Sequence, residues 1–351
     1  MAQIAIIGAG VAGLAAGREL TRAGHSVTIF EQSRVLGGRI ATRHVAGFVV
    51  EHGAQLVKAP TGALQALIEE TGDAHDLLGP VWVFDGEGQV SPGDPAFNLE
   101  PKWVWPGGNA ILADHLARGL NIHLETTITA LRRTGSSYDL LDDAGDVEGR
   151  FAAVLLTAPA PQATAILSAS DLEPGARSEL LAALAPVRYR RCISLALAYA
   201  RRPELPWYAL VNIDRHHPIA WLACEHTKPG HVPAGYALLI AQMGPAWSET
   251  RWDALAKEAY GVGVPLPQAA AEAHALTLAL VGEDLGEPLW VDAHRWRSAL
   301  CDAPSGAAAR EGRAGIYFAG DMEHGQGRVH LALESGWAAA RRMLAGLGRE
   351  S

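Results

Sequence analysis

Ile4-Ala5-Ile6-Ile7-Gly8-Ala9-Gly10-Val11-Ala12-Gly13-Leu14-Ala15-Ala16 is the stretch on which the fold turns. Ile4 to Ile7 is an apolar run of strand length, and Ala12 to Ala23 is rich in Ala, Leu and Arg with helical period. Between them Gly8, Gly10 and Gly13 form GxGxxG. The first glycine permits a tight turn, the second lets backbone approach a pyrophosphate, and the third lets helix pack on strand. Gly24-His25 turns the chain into a second strand, Val27 to Phe30, which ends at Glu31, eighteen residues after Gly13. An acidic side chain there accepts adenosine ribose hydroxyls and repels a 2'-phosphate, which disfavours NADP. Glycine-rich turns are common. The strand before, the helix after and the acid at this distance together predict a dinucleotide site, its diphosphate facing the free N–H groups of a helix N-terminus.

The ligand could be NAD or FAD, and two further features bear on the choice. Gly37-Gly38-Arg39 follows the second strand, where backbone and guanidinium can meet the same pyrophosphate from the other side. Near the C-terminus, Gly320-Asp321 ends an apolar strand (Gly315 to Ala319) and precedes a helix beginning near Arg328 and Val329. A carboxylate there suits the hydroxyls of a ribityl chain, which FAD has and NAD lacks, and a helix N-terminus stabilises negative charge on a reduced flavin. A chain that returns at its end to complete the site implies a long ligand.

Working outward, Thr61 to Thr71 and Asn109 to Arg118 read as helices, and Ile122 to Leu131 as one strand. Tyr138 to Leu141 and Val147 to Phe151 form a hairpin, and Ala153 to Thr157 is a buried strand stopped by Ala158-Pro159-Ala160-Pro161. Ile193 to Tyr199 and Tyr236 to Gln242 suggest an antiparallel sheet. The expected fold class is α/β, an FAD-binding Rossmann-like (GxGxxG) domain with a discontinuous α+β substrate domain built on an antiparallel sheet. Residues 1–78, 106–164 and 291–351 are assigned to the first domain, and 79–105 and 165–290 to the second.

Composition narrows the function. The chain has 351 residues and a net charge of -9, which argues against nucleic-acid binding because phosphate contacts need a basic face. No apolar run is long enough to span a bilayer, and Met1 leads into a strand rather than a signal peptide, so a cytoplasmic protein is expected. Cys192, Cys224 and Cys301 have neither disulfide nor zinc spacing. His216, His217, Cys224, His226 and His231 lie close in sequence, but strand alternation would scatter them, and no metal is expected. Nine of the ten tryptophans fall at 82–105 and 207–296, eight of them within the second domain and Trp296 six residues beyond its end.

GxGxxG, GGR and the C-terminal Gly-Asp together resemble the flavin-containing amine oxidase superfamily. Gly53-Ala54-Gln55, Trp103 with Pro106-Gly107, the stretch Thr157 to Ala163, Trp221-Leu222-Ala223 with Lys228-Pro229, His294-Arg295-Trp296 and Gly327-Arg328-Val329 tighten the likeness to its renalase-like branch. The resemblance implies non-covalent FAD, with Gly8, Gly10, Ala12, Gly13, Glu31, Gly37, Gly38, Arg39, Gly320, Asp321, Arg328 and Val329 around it. It further implies that Gly53, Ala54 and Gln55 lie near the flavin ring and that Ile128 meets the adenine through its backbone. The chain departs from the family pattern at Met322 to Gln326, which is one residue longer than the pattern before Gly-Arg-Val, and at His330-Leu331-Ala332 in place of Glu-Gly-Ala.

The implied reaction is hydride removal from a small planar substrate, an isomeric dihydronicotinamide dinucleotide, with molecular oxygen as acceptor and hydrogen peroxide as product. Substrate-site candidates are His294, Trp296, Trp221 and Trp103, and Trp82 and Trp105 are either core or part of a cavity for a planar ligand. Of Lys58, Lys102, Lys228 and Lys257, none sits in a motif for the flavin N5 region. Amine oxidation and polyene desaturation are the alternatives within the superfamily. A non-catalytic carrier on the same fold is the alternative outside enzymes.

Overall fold

The computed structural model describes residues 1–255, 259–261, 265–306 and 308–348. The chain divides into two compact units, one of Met1–Ala41, Leu112–Tyr189 and Leu300–Ser351, the other of Thr42–Ile111 and Arg190–Ala299.

The first unit is built on a parallel sheet whose strands run in the order Ile316–Phe318, Ala153–Leu156, Gln3–Ile7, Ser26–Phe30 and Asn121–His123. Ile4, Ala5, Ile6, Val154, Leu155 and Leu156 are fully buried, so these strands read as continuous apolar runs instead of alternating ones. The helix Val11–Arg22 packs against the last helix, Val329–Leu347. A Cβ on Gly336 would stand 2.2 Å from the carbonyl oxygen of Ala12, so this approach requires glycine.

Two expectations for this unit need correction. The strand read as Ile122 to Leu131 is two strands in different sheets: Asn121–His123 edges the parallel sheet, and Ile128–Thr134 opens an antiparallel one with Ser137–Asp142 and Val147–Phe151. Glu125, with φ of 55°, breaks the run in a left-handed conformation that hydropathy does not register. After Ala153–Leu156, Ala158-Pro159-Ala160-Pro161 does more than stop a strand. Pro159 caps the helix Ala160–Ala169, and proline in a first helical turn costs no hydrogen bond.

The second unit carries an eight-stranded sheet in the order Ala259–Gly261, Trp290–Ala303, Arg188–Tyr199, Ala237–Met243, Ile219–Cys224, Ala209–Asn212, Val81–Phe84 and Val90–Ser91. Ala209–Asn212 and Val81–Phe84 pair parallel, an exception to the expected antiparallel order. Both faces are covered. Leu195, Leu197, Leu239 and Ala241 pack with Trp247 and Trp252, while the alternate residues Ala196, Ala198, Leu238 and Ile240 pack with Phe48, Val50 and Tyr208.

Residues 42–78, 106–111 and 291–299, grouped by sequence with the nucleotide-binding domain, belong to this second unit, and 165–189 belong to the first. Trp337 is the tenth tryptophan and lies in the first unit; the other nine lie in the second.

Candidate functional site

In the first unit the two glycine loops face each other. Gly8 has φ of 112° and its N–H donates to Phe30 at 2.8 Å. Gly10 caps the helix Val11–Arg22 with no side-chain cap, leaving the first-turn N–H groups available. Gly37 donates to the Ala9 carbonyl at 2.9 Å and Gly10 bridges to Gly37. A Cβ on Gly10 would meet nothing within 4 Å, and one on Gly38 would meet only the Gly10 Cα at 3.6 Å. Gly13 is different, because its Cβ would stand 2.1 Å from the Gly8 carbonyl oxygen. Gly10 and Gly38 therefore leave room in front of the helix, and Gly13 closes the turn behind it. Ala12 is buried in that helix.

Glu31 is fixed at the end of its strand. Its Oε2 accepts from Ala9 N and its Oε1 from Ser33 N, both at 2.8 Å, and each oxygen keeps a second lone pair for a ribose hydroxyl. Ile128 is buried at the start of its strand, and Arg328 caps the last helix, which Val329 opens.

Sequence alone aims Arg39 at the diphosphate. In the structure its guanidinium grips Asp321, with Nη1 2.5 Å from Oδ2 and Nη2 2.8 Å from Oδ1. Burial works against the Arg39 charge, but Asp321 outweighs it and holds the guanidinium above its ordinary pKa. The preceding Gly320 donates its N–H to Ser335 Oγ at 2.8 Å, and Ser335 donates to Glu323 Oε2 at 2.5 Å. Arg342 in the last helix reaches Glu323 Oε1 at 2.6 Å. The loop with the extra residue is thus tied to the last helix through Glu323, an acid that no motif marked.

A second constellation lies in the second unit around Gly53-Ala54-Gln55. Asp292, His294 and Trp296 are alternate residues of Trp290–Ala303 and share a face. The His52 ring stacks on His294 with centroids 4.8 Å apart and a 26° tilt, and His294 lies 4.2 Å from Trp296. His52 Nε2 is 3.8 Å from Asp292 Oδ2, and Arg43 Nη1 is 2.9 Å from the same carboxylate.

The Trp296 indole N–H donates to the His52 carbonyl at 3.0 Å, and Gln242 Nε2 donates to the Gly53 carbonyl at 2.6 Å. Trp296 thereby positions the backbone of the very loop that the resemblance assigns to the flavin ring. Trp221 sits opposite Gln242 in the sheet register, with its ring 6.3 Å from Tyr208. Trp103 is on a separate two-stranded ribbon with His75–Asp76, bridged to Val57. Trp105 is fully buried and donates to Thr71 at 2.7 Å, so it is core. Trp82 packs at the edge of another apolar cluster. Lys58 pairs with Glu100, and Lys257 lies outside the described residues.

Beneath the loop is a buried group of charges. Glu225 Oε1 is 2.5 Å from Lys228 Nζ, and its Oε2 is 3.0 Å from His231 Nδ1. His231 Nε2 lies 2.9 Å from the Trp105 carbonyl oxygen. Carboxylate and carbonyl are both acceptors, so each ring nitrogen of His231 faces one. Burial raises Glu225, but Lys228 and His231 outweigh it and hold the carboxyl below its usual range.

Glu51, also fully buried, accepts from Asn109 N at 2.7 Å and from Thr42 Oγ1 at 2.9 Å, while Asn109 Nδ2 donates to the Ala54 carbonyl at 2.8 Å. Burial pushes Glu51 up to about 7, against the pull of Lys228. A raised carboxyl pKa favours the folded state fully below the unfolded value of 4.5, and that advantage is lost as pH rises to about 7. Over 2.5 pH units at about 1.36 kcal/mol each, the change is about 3 kcal/mol. Glu51→Gln, which keeps the acceptor, is expected to flatten the urea-unfolding stability of the chain between pH 4.5 and 7. An unchanged slope would show that Glu51 does not titrate in that window.

The room in front of Gly10 and Gly38, the uncapped helix and the two anchored carboxylates fit a dinucleotide with a hydroxylated chain beyond its diphosphate. Known proteins agree with this geometry. Residues 6–71 match the NAD(P)-binding Rossmann-like domain, and residues 78–344 match the family described as flavin containing amine oxidoreductase.

A protein of Mycobacterium tuberculosis described as a flavin-containing monoamine oxidase, AofH, is 45% identical over 69 residues, covering 20% of this chain and 15% of that protein. The 4,4'-diapophytoene desaturase of Staphylococcus haemolyticus is 44% identical over 86 residues, covering 23% and 17%. These matches therefore span under a fifth of the relatives' lengths. Among solved structures, cyclohexylamine oxidase from Brevibacterium oxydans superposes with a TM-score of 0.76 at 17% identity over 99% of both chains. Putrescine oxidase bound to putrescine gives 0.73 at 16% identity, over 98% of this chain and 99% of that one.

Proposed function

The chain belongs to the flavin containing amine oxidoreductase family, whose cofactor is FAD, and we propose that it is an FAD-dependent oxidase taking a hydride from a small planar substrate. One observation carries the reading: Asp321 is brought onto Arg39 from 282 residues away, in the unit that also holds the glycine loops and Glu31. A simple NAD site needs no such return of the chain.

FAD, bound non-covalently, supplies the hydride acceptor and the electron store. The chain's own residues bind and orient. Gly10 and Gly38 admit the diphosphate to the helix N-terminus, Glu31 takes the adenosine ribose, and Arg39 with Asp321 takes the polyol chain. Gly53, Ala54 and Gln55 are assigned to the flavin ring, on a loop steadied by Trp296, Gln242 and Asn109. The consecutive rings of His52, His294 and Trp296 suit a planar substrate, and this supports an isomeric dihydronicotinamide dinucleotide.

Molecular oxygen is the proposed acceptor, giving hydrogen peroxide. We place the protein in the cytoplasm because Cys192, Cys224 and Cys301 are all free thiols; among the described residues no helix is long and apolar enough to cross a membrane.

Amine oxidation or polyene desaturation is the second reading, favoured by the likeness to AofH and to the diapophytoene desaturase. The test is anaerobic bleaching of the yellow protein, followed by air and a peroxide assay. Reduction by isomeric dihydronicotinamides and not by benzylamine or a carotenoid precursor supports the first reading. Reduction by an amine or a polyene alone replaces it with the second. Colourless protein that cannot be reconstituted with FAD points to a carrier and overturns both.

A further inference from the structure

Asp321 has a third partner that no motif announces. Tyr189, 132 residues earlier in the chain, donates its hydroxyl to Asp321 Oδ1 at 2.9 Å. Its ring also lies 5.9 Å from the Arg39 guanidinium carbon. Tyr189 is the second residue of the strand Arg188–Tyr199 and the last of its segment in the first unit, half-buried beside that unit's core. A carboxylate offers about four lone-pair directions. Two are taken by Arg39 and one by Tyr189, which leaves Asp321 held in one orientation with a single acceptor direction open.

We infer that Tyr189 is a positioning residue of the cofactor site, whose hydroxyl holds Asp321 in place for the ribityl hydroxyls of FAD. The inference rests on the reading of the chain as an FAD protein and adds to it a residue outside the glycine motifs, Glu31, GGR and Gly-Asp. Without the hydroxyl, Asp321 would keep the two Arg39 contacts but could turn about them, and the open acceptor direction would no longer be set. Tyr189 is suited to the task because it remains a donor. Burial and the adjacent Asp321 charge push its hydroxyl well above the ordinary tyrosine range, so it does not ionise over any working pH.

Tyr189→Phe removes the hydroxyl and leaves the ring beside Arg39. FAD-stripped full-length protein is titrated with FAD and, separately, with ADP, which carries the adenosine diphosphate end and lacks the ribityl chain. The dissociation constant for FAD is expected to rise about tenfold in Tyr189→Phe, the lower end for a hydrogen bond to a charged group, and that for ADP to stay within about twofold. A general loosening of the unit would weaken both ligands together, and that result overturns the inference. So does an FAD constant unchanged within about twofold. If Tyr189→Phe does not fold, Tyr189→Leu is read on the same two ligands. Wild-type protein that binds ADP and no FAD refutes the parent reading, and the role of Tyr189 falls with it.

Discussion

Gly13→Val is expected to abolish both FAD binding and the cooperative unfolding of the nucleotide-binding unit, while Gly10→Val is expected to abolish FAD binding alone. The two glycines are three residues apart in one motif, and the difference is steric. A Cβ at Gly13 would be 2.1 Å from the Gly8 carbonyl oxygen and 2.9 Å from Thr157 Oγ1. The first contact is with backbone that cannot rotate away, so the helix Val11–Arg22 would have to leave the strand Gln3–Ile7. The loss of that packing places the variant beyond about 4 kcal/mol of destabilisation, in the range reserved for named defects of core or backbone. At Gly10, φ is -71° and ψ is 171°, which any residue adopts, and the space beside it is open. The side chain would stand in the space that the proposed site gives to the diphosphate. Thermal unfolding without ligand and fluorescence titration with FAD separate the two effects. A Gly13→Val protein that melts like wild type would show that the helix yields more readily than its packing implies.

Glu225→Ala is expected to destabilise the second unit by about 3–5 kcal/mol, the cost of leaving a buried charge without its partner. Lys228 would lose its carboxylate at 2.5 Å and His231 its partner at 3.0 Å. Glu51 is too committed to Thr42 and Asn109 to replace it. Removing both members of the closest pair, Glu225→Leu with Lys228→Met, is expected to cost less than Glu225→Ala alone, because well-packed apolar side chains of similar volume avoid the desolvation of an ion pair. Urea unfolding of the three proteins at pH 7 gives the comparison. If the double variant is worse than the single one, Lys228 is stabilised by something besides Glu225, with the Tyr208 ring 5.6 Å away as the first place to look. Trp105 accepts from His231, and Asn109 donates to the Ala54 carbonyl in the loop of residues 51–55.

Much of the first unit was legible in the chain because its signals are local. A glycine that must turn left-handed or must let a helix approach is marked by its own identity, and an apolar run buried on both faces is marked by its lack of alternation. The tryptophan distribution followed the division into units for a related reason, since large aromatic side chains fill the two thick layers around the eight-stranded sheet. Local signals misled where conformation departed from hydropathy. Glu125 splits a strand-like segment by its backbone angle. The Pro-Ala-Pro stretch stops a strand and starts a helix with the same residues, a helix-start signal that proline in the first turn could have supplied.

The candidate site divides along the same line. Sequence by itself determined that a GxGxxG turn joins strand to helix at residues 8–13, that Glu31 stands at the end of the next strand, and that the GGR and Gly-Asp motifs carry Arg39 and Asp321, which the proposed cofactor site draws on together. Each follows from a short motif whose spacing is set by the covalent chain. Only the tertiary structure decided that Arg39 holds Asp321, that Tyr189 and Glu323 tie down the same turn, and that His52 stacks on His294 beside Trp296. Those contacts join residues more than a hundred positions apart, except at Glu323 and between His294 and Trp296. They depend on strand register and on which face of a strand a residue occupies, and a one-residue slip would turn every such side chain to the opposite face.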